Sequence, residues 1–82
     1  MRRQIVAGNW KMNKTFPEGV ELIEQIKESD NTNENVNLII APPYILVKKA
    51  AHILKESKVS VAGQNCANHE HGAYTGEVSA EM

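Results

Sequence analysis

Three short apolar runs interrupt an otherwise polar chain. Ile5-Val6-Ala7 lies within residues 4–7 and can extend to Trp10, Leu38-Ile39-Ile40-Ala41 closes residues 36–41, and Val59-Ser60-Val61-Ala62 fills residues 59–62. The runs are mostly continuous rather than alternating, the pattern of parallel strands covered on both faces. They predict three strands of that kind.

Two helical patterns lie between them. The first opens at Thr15-Phe16-Pro17-Glu18, a capping-box spacing with proline in the first turn, where its missing N–H is no loss. Val20, Leu22, Ile23 and Ile26 then recur at helical intervals and predict a core face. Glu18, Glu21 and Glu24 sit in the N-terminal half and Lys27 nearer the C-terminal end, which complements the helix dipole. An asparagine-rich stretch, residues 30–35, predicts the loop that ends this helix. The second helix follows Pro42-Pro43, which can neither continue a strand nor lie inside a helix. Val47, Ala50, Ala51 and Leu54 predict its buried stripe, with Lys48, Lys49 and Lys55 in water and His52 at the stripe's edge.

The order is β-α-β-α-β, which predicts an α/β fold on a parallel sheet with right-handed crossovers. Residues 64–78 form a long polar loop dotted with Gly72 and Gly76, the kind of segment that carries function. Ser79-Ala80-Glu81-Met82 reads as the cap and first turn of another helix. Three parallel strands leave two unpaired edges, so the chain is expected to be the opening part of a larger sheet and not to fold cooperatively by itself.

Composition adds mostly exclusions. The 82 residues are 41% apolar and 23% charged with a formal net charge of -1, which argues against nucleic acid or an anionic membrane surface as a partner. No apolar run approaches the roughly 20 residues that span a bilayer. Arg2-Arg3 precedes only Ile5-Val6-Ala7, too short for the roughly 7 to 15 apolar residues of an export signal. Cys66 is the single cysteine, so no internal disulfide can form, as suits a reducing compartment. The expected location is the cytoplasm, and the expected role of Cys66 is a small, partly buried residue.

Candidate chemistry lies at the end of the first strand. Polar groups at the C-terminal ends of parallel strands are the usual catalytic positions of α/β proteins. Asn9 and Lys11, two apart at the end of this strand, are expected to point to the same face. An amide and an ammonium side by side could hold an anionic substrate, and the ammonium could stabilise negative charge developing on oxygen.

The motif around these residues resembles a known family. Ala7-Gly8-Asn9-Trp10-Lys11-Met12-Asn13, Ala41-Pro42-Pro43, and Gly63-Gln64-Asn65 followed by Gly72-Ala73-Tyr74-Thr75-Gly76-Glu77-Val78-Ser79 are similar, in order and spacing, to triosephosphate isomerases. The resemblance runs from Arg3 to Met82. It implies that the chain is the N-terminal part, about the first third, of a single (β/α)8 barrel domain. It implies an isomerase that interconverts dihydroxyacetone phosphate and D-glyceraldehyde 3-phosphate through an enediolate, without a cofactor or metal, as a homodimer. Asn9 and Lys11 would bind substrate, and Lys11 would stabilise the enediolate. The family's glutamate base and histidine electrophile have no counterpart among these residues, so the 82 residues alone are expected to be inactive. Residues 64–78 would be the interdigitating loop, with Thr75 at its tip bracing the partner's catalytic lysine. Asn13, Lys14, Gln64, Asn65, Tyr74, Thr75, Gly76 and Glu77 would lie at the dimer interface. Lys14 stands where a small residue is common, so its charge would have to be solvated or paired.

Two other readings compete. Cys66, His69 and His71, with His52 or Glu70, supply zinc-type ligands, but from one loop rather than from two separated pairs. A non-catalytic half-barrel that pairs its open edges with a partner is the other.

Overall fold

The computed structural model describes residues 2–29 and 34–82. Strand β1 (Gln4–Asn9), helix α1 (Phe16–Ser29), strand β2 (Val36–Ala41), helix α2 (Tyr44–Ile53) and strand β3 (Val59–Val61) follow one another in the predicted order. The three strands form one open parallel sheet in the order β1-β2-β3. Gln4 pairs with Val36 and Asn9 with Ala41, while Leu38 to Ile40 pair with Val59 to Val61. The ladder runs one residue past two of the strands: the Trp10 amide donates to the Ala41 carbonyl at 3.1 Å and the Ala62 amide to Ile40 at 2.9 Å. This is a βαβαβ unit on an open parallel sheet, the arrangement expected of the opening part of an α/β barrel. Residues 30–33 of the predicted asparagine-rich loop lie outside the described residues.

Helix α1 starts as its sequence requires. The Thr15 amide and hydroxyl both donate to Glu18 Oε1 at 3.0 Å, and the Gly19 amide donates to the Thr15 carbonyl at 2.8 Å. Its last turn is closed by the Ser29 hydroxyl, which donates to the Gln25 carbonyl at 2.8 Å. Helix α2 begins directly after Pro43, whose carbonyl accepts from the Leu46 amide at 2.9 Å.

The core gathers Ile23 of α1, Ile40 of β2, Leu46, Ala50 and Ile53 of α2, Leu54 and Val59 of β3. Ile23 and Ala50 were expected there, and so was Leu54. The predicted stripe of α2 is otherwise rotated. Leu46 and Ile53 are buried, Val47 is half-buried and Ala51 is exposed. Ile45, Leu46 and Val47 are consecutive apolar residues, so periodicity cannot say which one leads the face. Gly19 decides it, because the absence of a Cβ there lets α1 close onto the Leu46 side chain.

The strands depart from the expectation of cover on both faces. Every residue of β1 is exposed, with Ile5 at 63% and Val6 at 55%, and Ser60 in β3 is exposed as well. β2, flanked on both edges, is half-buried or buried throughout. β1 lies at the sheet edge, and its contacts are chiefly with β2 rather than with either helix, whereas β3 also packs against α2.

Candidate active site

The C-terminal ends of the three strands bring Asn9, Lys11, Ala41 and Gln64 together. Asn9 is the last residue of β1, and its Oδ1 accepts the Lys11 backbone amide at 2.8 Å. Lys11 is not on the strand. Its φ is 58°, in the left-handed region, so the chain turns sharply at the residue carrying the ammonium. The expectation that Asn9 and Lys11 share a strand face therefore gives way to a tighter link, a side chain of one gripping the backbone of the other. Asn13 Nδ2 donates to the Trp10 carbonyl at 2.8 Å and closes the same loop.

Gln64, beyond β3, reaches back across the sheet. Its Nε2 donates to the Lys11 carbonyl at 2.9 Å and to the Ala41 carbonyl at 2.8 Å. The three strand ends are thus tied by one carboxamide. Sequence reasoning named Gln64 but had no signal for this contact, since its partners lie 53 and 23 residues away.

Lys14 is exposed with φ 81°, and its positive charge helps, after two hydrogen bonds from Thr15, to hold the Glu18 carboxyl below its ordinary value. The lysine's charge is thus both solvated and near a carboxylate.

Residues 64–78 form a defined loop. Its base is closed by a parallel bridge between Ala67 and Ser79, with the Ala67 amide donating to Val78 at 2.8 Å. At the tip the Glu77 amide donates to the Tyr74 carbonyl at 3.0 Å, and Gly76 has φ 88°. That is a type II turn, which needs glycine at its third position and puts Thr75 at its apex. His69 stacks on Tyr74 with ring centroids 4.1 Å apart, an association the sequence did not signal. Asn65 Oδ1 accepts the Cys66 amide at 2.8 Å, and the Asn65 carbonyl accepts the Tyr44 hydroxyl. No hydrogen bond among the described residues joins the Tyr74–Glu77 turn to Asn9 or Lys11 of the same chain.

Cys66 is exposed rather than partly buried; its amide donates to Asn65 Oδ1 and its thiol to the Ala67 carbonyl at 3.3 Å. Among the described residues no group of three or more His, Cys, Asp or Glu side chains is placed to hold a metal ion. Ser79 is buried, and its hydroxyl accepts the Met82 amide at 3.3 Å, the contact of a helix N-cap. Among the described residues no helix is long and apolar enough to cross a membrane.

Known proteins match this chain along nearly its whole length. A family model described as "Triosephosphate isomerase" matches residues 4–82. The chain belongs to the triosephosphate isomerase family. It is 47% identical over 83 residues to a triosephosphate isomerase of Bacteroides fragilis, 46% over 83 residues to one of Porphyromonas gingivalis, and 46% over 82 residues to one of Flavobacterium psychrophilum. Each alignment covers 100% of this chain and 33% of the relative. The chain thus spans about a third of the length of the curated relatives it matches.

Proposed function

We propose that the complete protein carrying this chain is a triosephosphate isomerase, interconverting dihydroxyacetone phosphate and D-glyceraldehyde 3-phosphate in glycolysis and gluconeogenesis. The observation that carries the reading is the Asn9–Lys11 grip at the C-terminal end of β1, in a chain matched to the family over residues 4–82.

In this reading Asn9 uses its carbonyl oxygen to hold the Lys11 amide, which leaves its NH2 group to donate to a substrate oxygen. Lys11 sits on a turned-out loop, its ammonium a compact charge that attracts the phosphorylated triose. As a proton leaves carbon and the enediolate forms, the same charge stabilises the growing negative charge on oxygen. Neither residue moves the proton, so acid and base must come from elsewhere in the complete barrel. The chain alone is inactive for that reason.

The working form is a cytoplasmic homodimer without cofactor or metal. The type II turn that presents Thr75 supports a docking role for residues 64–78, with Thr75 seated beside Asn9 and Lys11 of a second copy. Asn13, Lys14, Gln64, Asn65, Tyr74, Gly76 and Glu77 line that interface.

Substituting Lys11→Ala in the complete protein should lower kcat/KM at least about 100-fold, the scale of removing one group that stabilises an oxyanion. Retention of the unsubstituted rate would refute the role of Lys11. Thr75→Ala should act more mildly, by weakening the dimer, and analytical ultracentrifugation would show the shift; an unchanged dimer with unchanged turnover would remove the docking role.

A further inference from the structure

Lys11 occupies a conformation that residues with side chains avoid, and it is held there at both ends. Its φ of 58° costs free energy for any L-residue with a Cβ, so such a conformation persists only where its surroundings enforce it. On one side, its amide is taken by Asn9 Oδ1 at 2.8 Å. On the other, its carbonyl accepts from Gln64 Nε2 at 2.9 Å.

The second anchor is the informative one. Asn9 is only two residues from Lys11, on the strand that leads into the loop it holds. Gln64 comes from beyond β3, 53 residues away. The same Nε2 also donates to the Ala41 carbonyl at the end of β2, at 2.8 Å. That carbonyl accepts the Trp10 amide as well, at 3.1 Å, immediately before Lys11. A carboxamide nitrogen carries two N–H donors, and here both are engaged by backbone carbonyls. The orientation follows from this: turning the amide over would set its oxygen against two carbonyl oxygens.

We propose that Gln64 is a positioning residue for Lys11, locking the lysine loop onto the ends of β2 and β3 so that the ammonium is held in place before substrate arrives. The proposal rests on the catalytic role given to Lys11 above. It assigns Gln64 a function inside its own subunit, distinct from contact with a second copy. Preorganisation of this kind matters because a charge aimed at a developing oxyanion loses effect when its carrier must be ordered during the reaction. A misplacement on the order of 1 Å can cost about 100-fold in rate.

The test uses the complete protein and three readouts. In the unsubstituted protein, NMR should show both Gln64 side-chain N–H protons slowed in exchange and close to residues 11 and 41. It should also show the strong intraresidue amide-to-Hα contact for Lys11 that a positive φ produces. Rapid exchange of those protons overturns the proposal with no variant needed. Gln64→Leu removes both donors at similar size, and Gln64→Glu replaces them with an oxygen that cannot donate when ionised. Each should weaken the Lys11 amide-to-Hα contact and lower kcat/KM about 10- to 100-fold. Protection of the Ala62 amide, which donates to Ile40, reports whether the sheet still forms. The rate loss should persist when protein concentration is raised until the variant is fully dimeric. Recovery under that condition, or an unaltered Lys11 conformation, overturns the proposal in favour of an interface role. If the unsubstituted protein shows no isomerase turnover, the proposed function fails, while the NMR arms still decide whether Gln64 holds Lys11.

Discussion

Gly19 sits where α1 meets α2, and a Cβ added there would lie 2.3 Å from Leu46 Cδ1. Helix propensity alone favours alanine over glycine by about 1 kcal/mol. Leu46 is fully buried and cannot swing away, so the overlap must be relieved by shifting packed elements, at a cost of about 1–3 kcal/mol. Gly19→Ala should therefore lower the urea midpoint of the complete protein, against its helix propensity, and adding Leu46→Val should recover part of the loss. A higher midpoint for the single variant would show that the helices are not in contact here. Lys14 presents the opposite case. Its φ of 81° suits glycine, and a Cβ in that region costs about 1 kcal/mol or more. Lys14→Gly is expected to be more stable than Lys14→Ala by about 1 kcal/mol in chemical denaturation; the order usual for a helix, alanine above glycine, would contradict this. At this scale the sequence singled out Asn9 and Lys11, but for a geometry that does not occur. A strand alternates faces only while it remains a strand, and β1 ends at Asn9. The contact of Gln64 with Lys11 was invisible because it depends on how three separated segments converge.

The start of α1 was legible as an element because its determinants are local. Thr15 and Glu18 are three residues apart, and both Thr15 donors converge on one carboxylate oxygen. The backbone and side-chain hydrogen bonds from Thr15, with a lesser contribution from the charge of Lys14, hold the Glu18 carboxyl below its ordinary value against the opposing effect of desolvation. A depressed acid contributes to the folded state in its ionised form. Its contribution is complete above the ordinary glutamate range and disappears as pH falls through the lowered value. NMR titration should place the Glu18 midpoint below that of an unstructured glutamate, with the Thr15 amide losing protection in the same window. A Glu18 midpoint at or above the ordinary value would remove the cap. Glu18→Gln should abolish that pH dependence of the Thr15 amide. Helix α2 was legible in extent but not in rotation. Apolar residues at 45, 46 and 47 leave several faces open, and only packing against α1 selects the one led by Leu46.

For the molecule as a whole, the open sheet is the dominant fact. β1 pairs along one side and is exposed over its full length, whereas β2 is paired on both. Amide exchange in the isolated 82 residues should therefore be faster in the edge strands β1 and β3 than in β2, and β1 should gain protection in the complete protein as its open edge is paired. Equal protection of β1 in both settings would mean that this edge is not an internal surface of a larger barrel. The loop of residues 64–78 belongs to the same scale. Its bridge at Ala67–Ser79, the His69–Tyr74 stack and the turn under Thr75 shape it from within, leaving its apex pointed at no hydrogen-bonding partner of its own site.

The amino-acid sequence by itself determined the element order, the parallel character of the strands, the cap of α1 and the residue types at the strand ends. These depend on neighbours a few positions apart, where hydrophobic period, proline placement and hydrogen-bonding reach act directly. Tertiary structure alone decided which face of α2 is buried, that β1 lies at an open edge, that Cys66 faces outward, and that Gln64 grips Lys11. Each of these depends on which distant segment arrives alongside. That is settled by the space left between packed helices and by the carbonyls that converge where the strands end.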